Sequence, residues 1–579
     1  MTATPETTNP EAAEVTLVAP DADKAAAHIE ASKARRASLV QSIHRRTPDI
    51  TRRPWESLAI FVGFTGFYIW FGYWLVVKMH VVGFETLDRL NRALMIWHND
   101  PAKLSALGFD YPPLATLLIS PLAIFPAVTS SLWAVPIASA VFAGLTMLVL
   151  NTMMRRAQLL TPLRYAALLA LGLNPLFLLY ASGGARQFIW IAFVVVAMGG
   201  IMAWYITADV RFVMLAGLAF SVAALSGYGS LLWFVLTALM IGSILAKLGA
   251  DGSEVEGTTV GFAVPTAYVI ALWCVFNLIL LSKPFYWISG ASDAGGGDPG
   301  TFTGVELLHD TLSLVLYGAP IAFVVLPVLI FVGIARNNPL SLWLGVLLAA
   351  AIVSPALSVA LHLTDSPMQM RNALPILLFS VIGTVWIARS AESNNLLVSI
   401  ALIVALLLSI PWTFQAMKTY RYQNLESNFA AAISTRDSQE GATTASGSKV
   451  GVRDEQATAE YITSNITNPN SILTDNAQTY GVMLMTGRPD LFVDRVDKSD
   501  GPWKAIAADP AQYVDYMLLF TGGGDLLAQT YPNAADGSDP RLPVIYRTDR
   551  YVLVGVPANF DPDGGSSLST QTSTNGASQ

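Results

Sequence analysis

The sequence predicts a polytopic α-helical membrane protein with a small α/β domain near its C-terminal end. Of the 579 residues, 53% are hydrophobic and only 13% are charged, about half the charged share of an ordinary soluble domain. Mean hydropathy is +0.49. Apolar segments of roughly 20 residues recur between Ser57 and Trp412, and each is long enough to cross a bilayer core of about 30 Å. This pattern excludes a purely soluble enzyme, a coiled coil and a disordered chain.

The apolar segments predict about eleven membrane-spanning helices. We place them at 57–79, 129–152, 162–181, 187–205, 210–226, 229–247, 259–282, 313–334, 340–361, 373–388 and 394–412. The stretch 112–126 is left out because it is short and contains four prolines. Proline disrupts helices, so we expect an interfacial or re-entrant segment there.

Basic residues in the short loops predict the orientation. With the N-terminus in the cytoplasm, most loop arginines and lysines fall on that side, and an odd number of spans places the C-terminus outside. We therefore expect a plasma-membrane protein with a disordered, basic cytoplasmic tail at 1–54 and a transmembrane domain at 55–412, whose first outer loop is 80–128. An extracytoplasmic domain at 413–560 and a disordered tail at 561–579 complete the prediction.

The region 413–560 is much less apolar and contains short runs with strand character. The predicted strands are Ser471–Leu473, Tyr516–Phe520, Val544–Tyr546 and Tyr551–Val556. Helical stretches at 454–466 and 502–508 alternate with them. This alternation predicts a small α/β fold.

Charge and cysteine content exclude several classes of function. The formal net charge of −7 argues against nucleic-acid binding, because no net positive field attracts phosphate backbones. Cys274 is the single cysteine, which excludes internal disulfides and cysteine-based metal sites.

Residues 84–97 predict an amphipathic helix along the membrane surface. One face carries Leu87, Leu90, Leu94 and Trp97, and the opposite, wet face carries Glu85, Asp88, Arg89 and Arg92. Two interpretations are open. In the first, the charges only form i,i+4 pairs, Glu85–Arg89 and Asp88–Arg92, on a solvated surface. Alternatively, a carboxylate serves as a general base beside a cationic clamp for an anionic leaving group.

The residues after this helix favour the second interpretation. Asn99-Asp100-Pro101 and Gly108-Phe109 precede Tyr111-Pro112-Pro113-Leu114. In this order the sequence resembles the GT-C superfamily of integral membrane glycosyltransferases, particularly actinobacterial arabinosyl- and mannosyltransferases. Many of those relatives carry Gly-Asp where this chain has Phe84-Glu85.

The resemblance implies an enzyme that uses a polyprenyl-phosphate-linked sugar, arabinofuranose or mannose, as its donor. The sugar would pass with inversion to an envelope glycan or glycolipid at the outer face of the membrane. Glu85, in the place of the relatives' catalytic aspartate, or Asp88 one turn later, would be the general base. Arg89, Arg186 and Arg371 would bind the donor phosphate, although anionic lipid headgroups are an alternative partner for outer-face arginines.

Four further residues are implied as substrate contacts: Asp110, Tyr111, His309 and His362. No cofactor is expected. His98, His309 and His362 could bind a divalent metal with Asp310 or Asp365, but they lack the spacing of a known ligand motif.

Two other functions stay open. A GT-C-like chain without catalysis could act as a scaffold in wall assembly through residues 413–560. A transporter or flippase for a lipid-linked glycan would require ionisable residues within the spans and an inverted repeat, and neither is evident in the sequence.

Overall fold

A computed structural model describes residues 53–108, 112–288, 304–361, 368–391, 394–423, 425–443, 450–496 and 500–562. Most of the two predicted tails lies outside these ranges. Asp110, Tyr111 and His362 also lie outside the described residues.

Within the described ranges, eight helices are long and apolar enough to cross a membrane by themselves. They are Pro54–Lys78, Ala134–Arg156, Arg186–Thr207, Ser230–Lys247, Gly252–Leu281, Pro339–Ala360, Met370–Ser390 and Asn395–Thr419. Two bent pairs add Thr161–Gly172 with Pro175–Gly183 and Gly304–Gly318 with Ala322–Ala335, and Arg211–Ser226 is a shorter apolar helix. These helices occupy the eleven predicted positions, and the chain is a multi-pass membrane protein.

The two bent pairs correct the prediction of continuous helices at 162–181 and 313–334. The first pair bends by 72°, because the side chain of Asn174 accepts the N–H groups of Leu176 and Phe177 and so caps a new helix. The second bends by 99° next to Pro320, whose ring disfavours helical geometry in the residue before it.

The first loop contains the predicted amphipathic helix, Phe84–His98, here called the loop helix. A 3₁₀ turn at Leu104–Leu107 and helices Pro113–Ala123 and Pro126–Ser130 follow it. The helix Pro113–Ala123 has 11 residues, which span about 16 Å at 1.5 Å each. That length is too short for a full membrane span.

The predicted division of the loop helix into an apolar and a wet face is only partly right. Leu87, Leu90 and Leu94 are buried, as expected. Trp97, however, is 47% exposed, and Arg89 is buried at 1% exposure. Arg89 is buried because other parts of the chain cover a second side of this helix, the side that the sequence predicts to face water.

The C-terminal region contains a five-stranded sheet with the order β2-β1-β3-β5-β4. The strands are β1 Ile472–Thr474, β2 Phe492–Val493, β3 Tyr516–Phe520, β4 Val544–Arg547 and β5 Tyr551–Gly555. Strands β1, β2 and β3 pair in parallel, and β5 is antiparallel to both β3 and β4. The helices of this region are Glu426–Thr435, Arg453–Asn465, Asn476–Thr486, Asp500–Ala508, Leu526–Thr530 and Pro532–Ala535.

This C-terminal region packs directly on the first loop. Val452 and Leu484 belong to the same apolar cluster as Leu87 and Leu90 of the loop helix. Nδ1 of His80, two residues after the first span, lies 3.0 Å from a carboxylate oxygen of Glu440. The fold therefore places the loop helix between the membrane spans and the sheet.

Candidate active site

Glu85 lies in the first turn of the loop helix. The helix begins after Gly83, which has an extended backbone and provides no side-chain cap. The first turn of a helix has N–H groups without intrahelical partners, so this end favours a carboxylate.

Arg371 lies in a short 3₁₀ turn, Met370–Asn372, directly before the helix Ala373–Ser390. The segment that follows the last span holds this turn in place. The N–H of Met370 donates to the carbonyl of Tyr422 at 3.3 Å, and the hydroxyl of Tyr420 donates to the carbonyl of Met368 at 2.7 Å.

Arg186 lies in the first turn of the helix Ala185–Thr207, directly after a tight connection from the helix Pro175–Gly183. Gly184 occupies the junction, where a Cβ would lie 2.5 Å from Cδ1 of Tyr180. Such a contact is too close for any side chain without a shift, so glycine fixes the start of the helix that carries Arg186.

These two arginines meet at Glu85. Nη1 of Arg186 pairs with Oε2 of Glu85, while Nη1 of Arg371 lies 3.3 Å from Oε1 and 3.2 Å from Oε2. Arg89, one turn further along the loop helix, is buried beneath the surface and interacts electrostatically with Glu85. The structure therefore brings together four of the residues that the sequence singled out.

The arginines dominate the electrostatics of the Glu85 carboxylate. Partial removal from water raises the pKa of Glu85, but the positive charges of Arg186, Arg371 and Arg89 outweigh this effect and hold the pKa well below its usual range. The side chain is nevertheless 44% exposed. Glu85 is thus an ionised carboxylate that a solvent-borne group can reach.

Asp88 has a different environment. Its carboxylate accepts from Nε of Arg92 at 3.0 Å and 3.2 Å, which is the i,i+4 pair of the first interpretation, that of charges paired on a solvated surface. That interpretation describes Asp88, whereas Glu85 pairs with arginines outside its own helix.

A second carboxylate near Arg371 is not indicated by any sequence pattern. The hydroxyl of Tyr180 donates to Oε1 of Glu426 at 2.7 Å, and Glu426 is fully buried. Arg371 interacts electrostatically with both groups. Glu426 begins a helix after the last span, and no local pattern predicts that this polar segment returns to the site.

The remaining candidates lie elsewhere or outside the described ranges. His309 is 79% exposed, with Nδ1 3.3 Å from Oδ1 of Asp310. Oδ2 of Asp310 accepts from the hydroxyl of Tyr422 at 2.8 Å; burial and this bond raise the pKa of Tyr422 to about 12.

His98, one of the candidate metal ligands, contacts backbone carbonyls. Nε2 of His98 lies 3.1 Å from the carbonyl of Ala123 and 3.2 Å from that of Ile124, which joins the loop helix to the next helix. In the part of the chain that the structure describes, no three His, Cys, Asp or Glu residues are grouped as metal ligands would be.

Comparison with known proteins relates this arrangement to known folds. No protein-family model matches the chain, and no curated relative matches it. Among solved structures, ArnT from Cupriavidus metallidurans bound to undecaprenyl phosphate is similar, with a TM-score of 0.53 and 13% identity over 87% of this chain and 98% of that chain.

Two further structures overlap less well. The apo Archaeoglobus fulgidus oligosaccharyltransferase gives a TM-score of 0.46 at 10% identity, over 81% of this chain and 70% of that one. The mycobacterial arabinofuranosyltransferase AftD gives 0.41 at 14% identity, over 89% of this chain and 40% of that one. The similarity to ArnT confirms the fold that the first-loop motifs predict: the chain has the fold of the GT-C glycosyltransferases.

Proposed function

We propose that the protein is a membrane glycosyltransferase that uses a polyprenyl-phosphate-linked sugar as its donor. The sugar, arabinofuranose or mannose, is transferred to a hydroxyl of an envelope glycan or glycolipid at the outer face of the plasma membrane. One observation carries the proposal: a reachable carboxylate lies against two arginines from distant parts of the chain. The similar ArnT structure contains undecaprenyl phosphate, which supports a lipid phosphate as the ligand.

The arginines supply the phosphate-binding part of the site. Within the described ranges, the ion pairs of Arg186 and Arg371 with Glu85 use Nη1 alone. A guanidinium has five N–H donors in a planar fork, so other donors are left for phosphate oxygens. Arg89 adds positive charge that stabilises the phosphate leaving group.

Glu85 supplies the base. The acceptor oxygen attacks the anomeric carbon, the bond from that carbon to the phosphate oxygen breaks, and polyprenyl phosphate leaves with the bonding electrons. The acceptor proton passes to Glu85, and the configuration inverts. A carboxylate paired with two arginines is a weak base, but a donor phosphate competes for the same arginines. Donor binding would therefore raise the pKa of Glu85 toward its usual range.

The other proposed contacts concern the sugar and the acceptor. Asp110, Tyr111, His309 and His362 are assigned to substrate binding, and the C-terminal region is assigned to acceptor binding or to covering the site. The lipid donor already carries the activated sugar, so this reaction needs no nucleotide site and no cofactor.

The test uses purified protein in lipid nanodiscs with polyprenyl-phospho-arabinose and polyprenyl-phospho-mannose, each assayed for transfer or slow hydrolysis. We expect turnover of one donor and a decrease in kcat of about 10²-fold or more in Glu85→Gln, the size of a general-base contribution. Full activity in Glu85→Gln with loss in Asp88→Asn would move the base to Asp88. Failure of both donors would favour the non-catalytic scaffold.

A further inference from the structure

The residue directly before Glu85 is held by the C-terminal region. The ring of Phe84 meets the ring of Tyr480 edge-on, with centroids 6.3 Å apart at an interplanar angle of 75°. The guanidinium carbon of Arg550 lies 5.3 Å from the centroid of the same ring, within the range of a cation–π contact. Phe84 is therefore enclosed by two side chains that lie about 400 residues or more away in sequence.

Arg550 is fixed in this position by bonds that do not involve Phe84. Its Nε lies 3.1 Å from Oδ2 of Asp454, and its Nη2 pairs with Oε2 of Glu455 and donates to the carbonyl of Gly451 at 3.3 Å. Glu455 is fully buried and also accepts from the hydroxyl of Tyr551 at 2.9 Å. Because several acceptors hold this guanidinium, its position relative to the ring of Phe84 is fixed.

The first turn of the loop helix is not held by a cap. Gly83 provides no side-chain cap, and an uncapped first turn is the part of a helix most prone to fray. Glu85 lies in this turn, while Arg186 and Arg371 are attached to membrane spans. The distance between the carboxylate and the arginines therefore depends on what holds the first turn.

We infer that Phe84, Tyr480 and Arg550 are positioning residues that hold Glu85 against Arg186 and Arg371. The C-terminal region thereby becomes a structural part of the active site. This inference relies on the proposed function only where transfer is measured.

The structural test determines cryo-electron microscopy maps of variants in nanodiscs. In Phe84→Leu and Arg550→Met, we expect the Glu85 carboxylate to lie more than about 4 Å from Arg186 and Arg371, beyond ion-pair distance. Phe84→Tyr keeps the ring and should keep the pairs. The matched control is Arg541→Met: Arg541 also lies over a ring, 5.4 Å from Phe560. Intact ion pairs in both Phe84→Leu and Arg550→Met would overturn the inference.

The functional test measures the pH dependence of kcat/KM, which reports groups of the free enzyme. A Glu85 released from the arginines regains a more usual pKa, so the acidic limb should move up by about one pH unit or more in Phe84→Leu and Arg550→Met. Phe84→Tyr and Arg541→Met should keep the wild-type limb. If the acidic limb of the pH profile stays in place in Phe84→Leu and Arg550→Met, the positioning role is contradicted.

Other charged groups around Glu85 must be separated from this effect. They are Arg89, Arg186, Arg371, Tyr180 and Glu426. Repeating the pH profile in Glu426→Gln separates the contribution of this second carboxylate from that of Glu85. If the wild-type protein transfers no sugar, the proposed function fails, and the maps alone decide whether Phe84 and Arg550 position Glu85.

Discussion

Glu85 and Asp88 lie one turn apart on the same helix, yet their partners give them different chemistry. Asp88 pairs with Arg92, four residues along the chain. Glu85 pairs with Arg186 and Arg371, which are 101 and 286 residues away. The i,i+4 spacing predicts the Asp88–Arg92 pair on any exposed helix. The pairs of Glu85 form only when the chain is folded.

Competition between Glu85 and phosphate for the arginines predicts changes in ligand affinity. Glu85→Gln should bind undecaprenyl phosphate about fivefold or more tightly, because the competing carboxylate is gone, and Arg371→Gln should bind it about tenfold or more weakly. Titration calorimetry in nanodiscs measures both. Glu440→Gln is the control, since Glu440 pairs with His80 and should leave the affinity unchanged. Weaker binding by Glu85→Gln would refute the competition.

The depressed pKa of Glu85 also predicts how stability depends on pH. A carboxylate whose folded-state pKa lies below its unfolded value adds stability above the unfolded pKa and loses it as pH falls through the folded one. The difference in thermal stability between wild type and Glu85→Gln should therefore be constant from about pH 8 to 5 and shrink only below about 4.5. A difference that disappears near neutral pH would contradict the assigned ion pairs.

At the scale of elements, two short connections determine the positions of Arg186 and Arg371. One is the glycine junction before Arg186, and the other is the 3₁₀ turn Met370–Asn372. Each lies at the end of a membrane helix, so a change of a few ångströms in either would separate its arginine from Glu85.

Substitution of the glycine junction tests this role. In Gly184→Ala, the new Cβ would meet the ring of Tyr180, and we expect a loss of about 1–3 kcal/mol in stability with weaker undecaprenyl phosphate binding. Gly66→Ala is the control, because no atom lies within 4 Å of a Cβ at that exposed position. Thermal unfolding and calorimetry measure the two effects, and unchanged values for Gly184→Ala would contradict the packing argument.

Local patterns predicted the spans and four of the five strands, because hydropathy and alternation are properties of short segments. They did not predict the bends after Gly172 and Gly318, where capping and proline geometry interrupt an apolar run. The helix Asn476–Thr486 and the two-residue strand β2 were missed as well. Glu85, Arg186 and Arg371 were found through the family resemblance, whereas the burial of Arg89 and the return of Glu426 depend on tertiary packing.

At the scale of the whole molecule, the loop helix contacts both the membrane spans and the C-terminal region. Apolar side chains of both regions pack against it, and the contacts of Phe84 extend this interface to the residue before Glu85. Movement of the C-terminal region would therefore change the position of Phe84 and of the adjacent Glu85.

The proposed orientation makes a prediction for intact cells. A membrane-impermeant maleimide should label Ser538→Cys, at an exposed position of the C-terminal region, but should label Asp251→Cys only after the cells are permeabilised. Asp251 lies between two spans, beside Lys247, on the predicted cytoplasmic side. The opposite labelling pattern would invert the orientation and place the Glu85 site on the cytoplasmic side.

The most direct test of the proposed donor site is a cryo-electron microscopy map of the wild-type protein with undecaprenyl phosphate in nanodiscs. We expect phosphate density within hydrogen-bond distance of Arg186 and Arg371, about 2.7–2.9 Å for charged pairs, and a longer separation between Glu85 and at least one of them. A phosphate bound elsewhere, with both ion pairs of Glu85 unchanged, would contradict the proposed donor site.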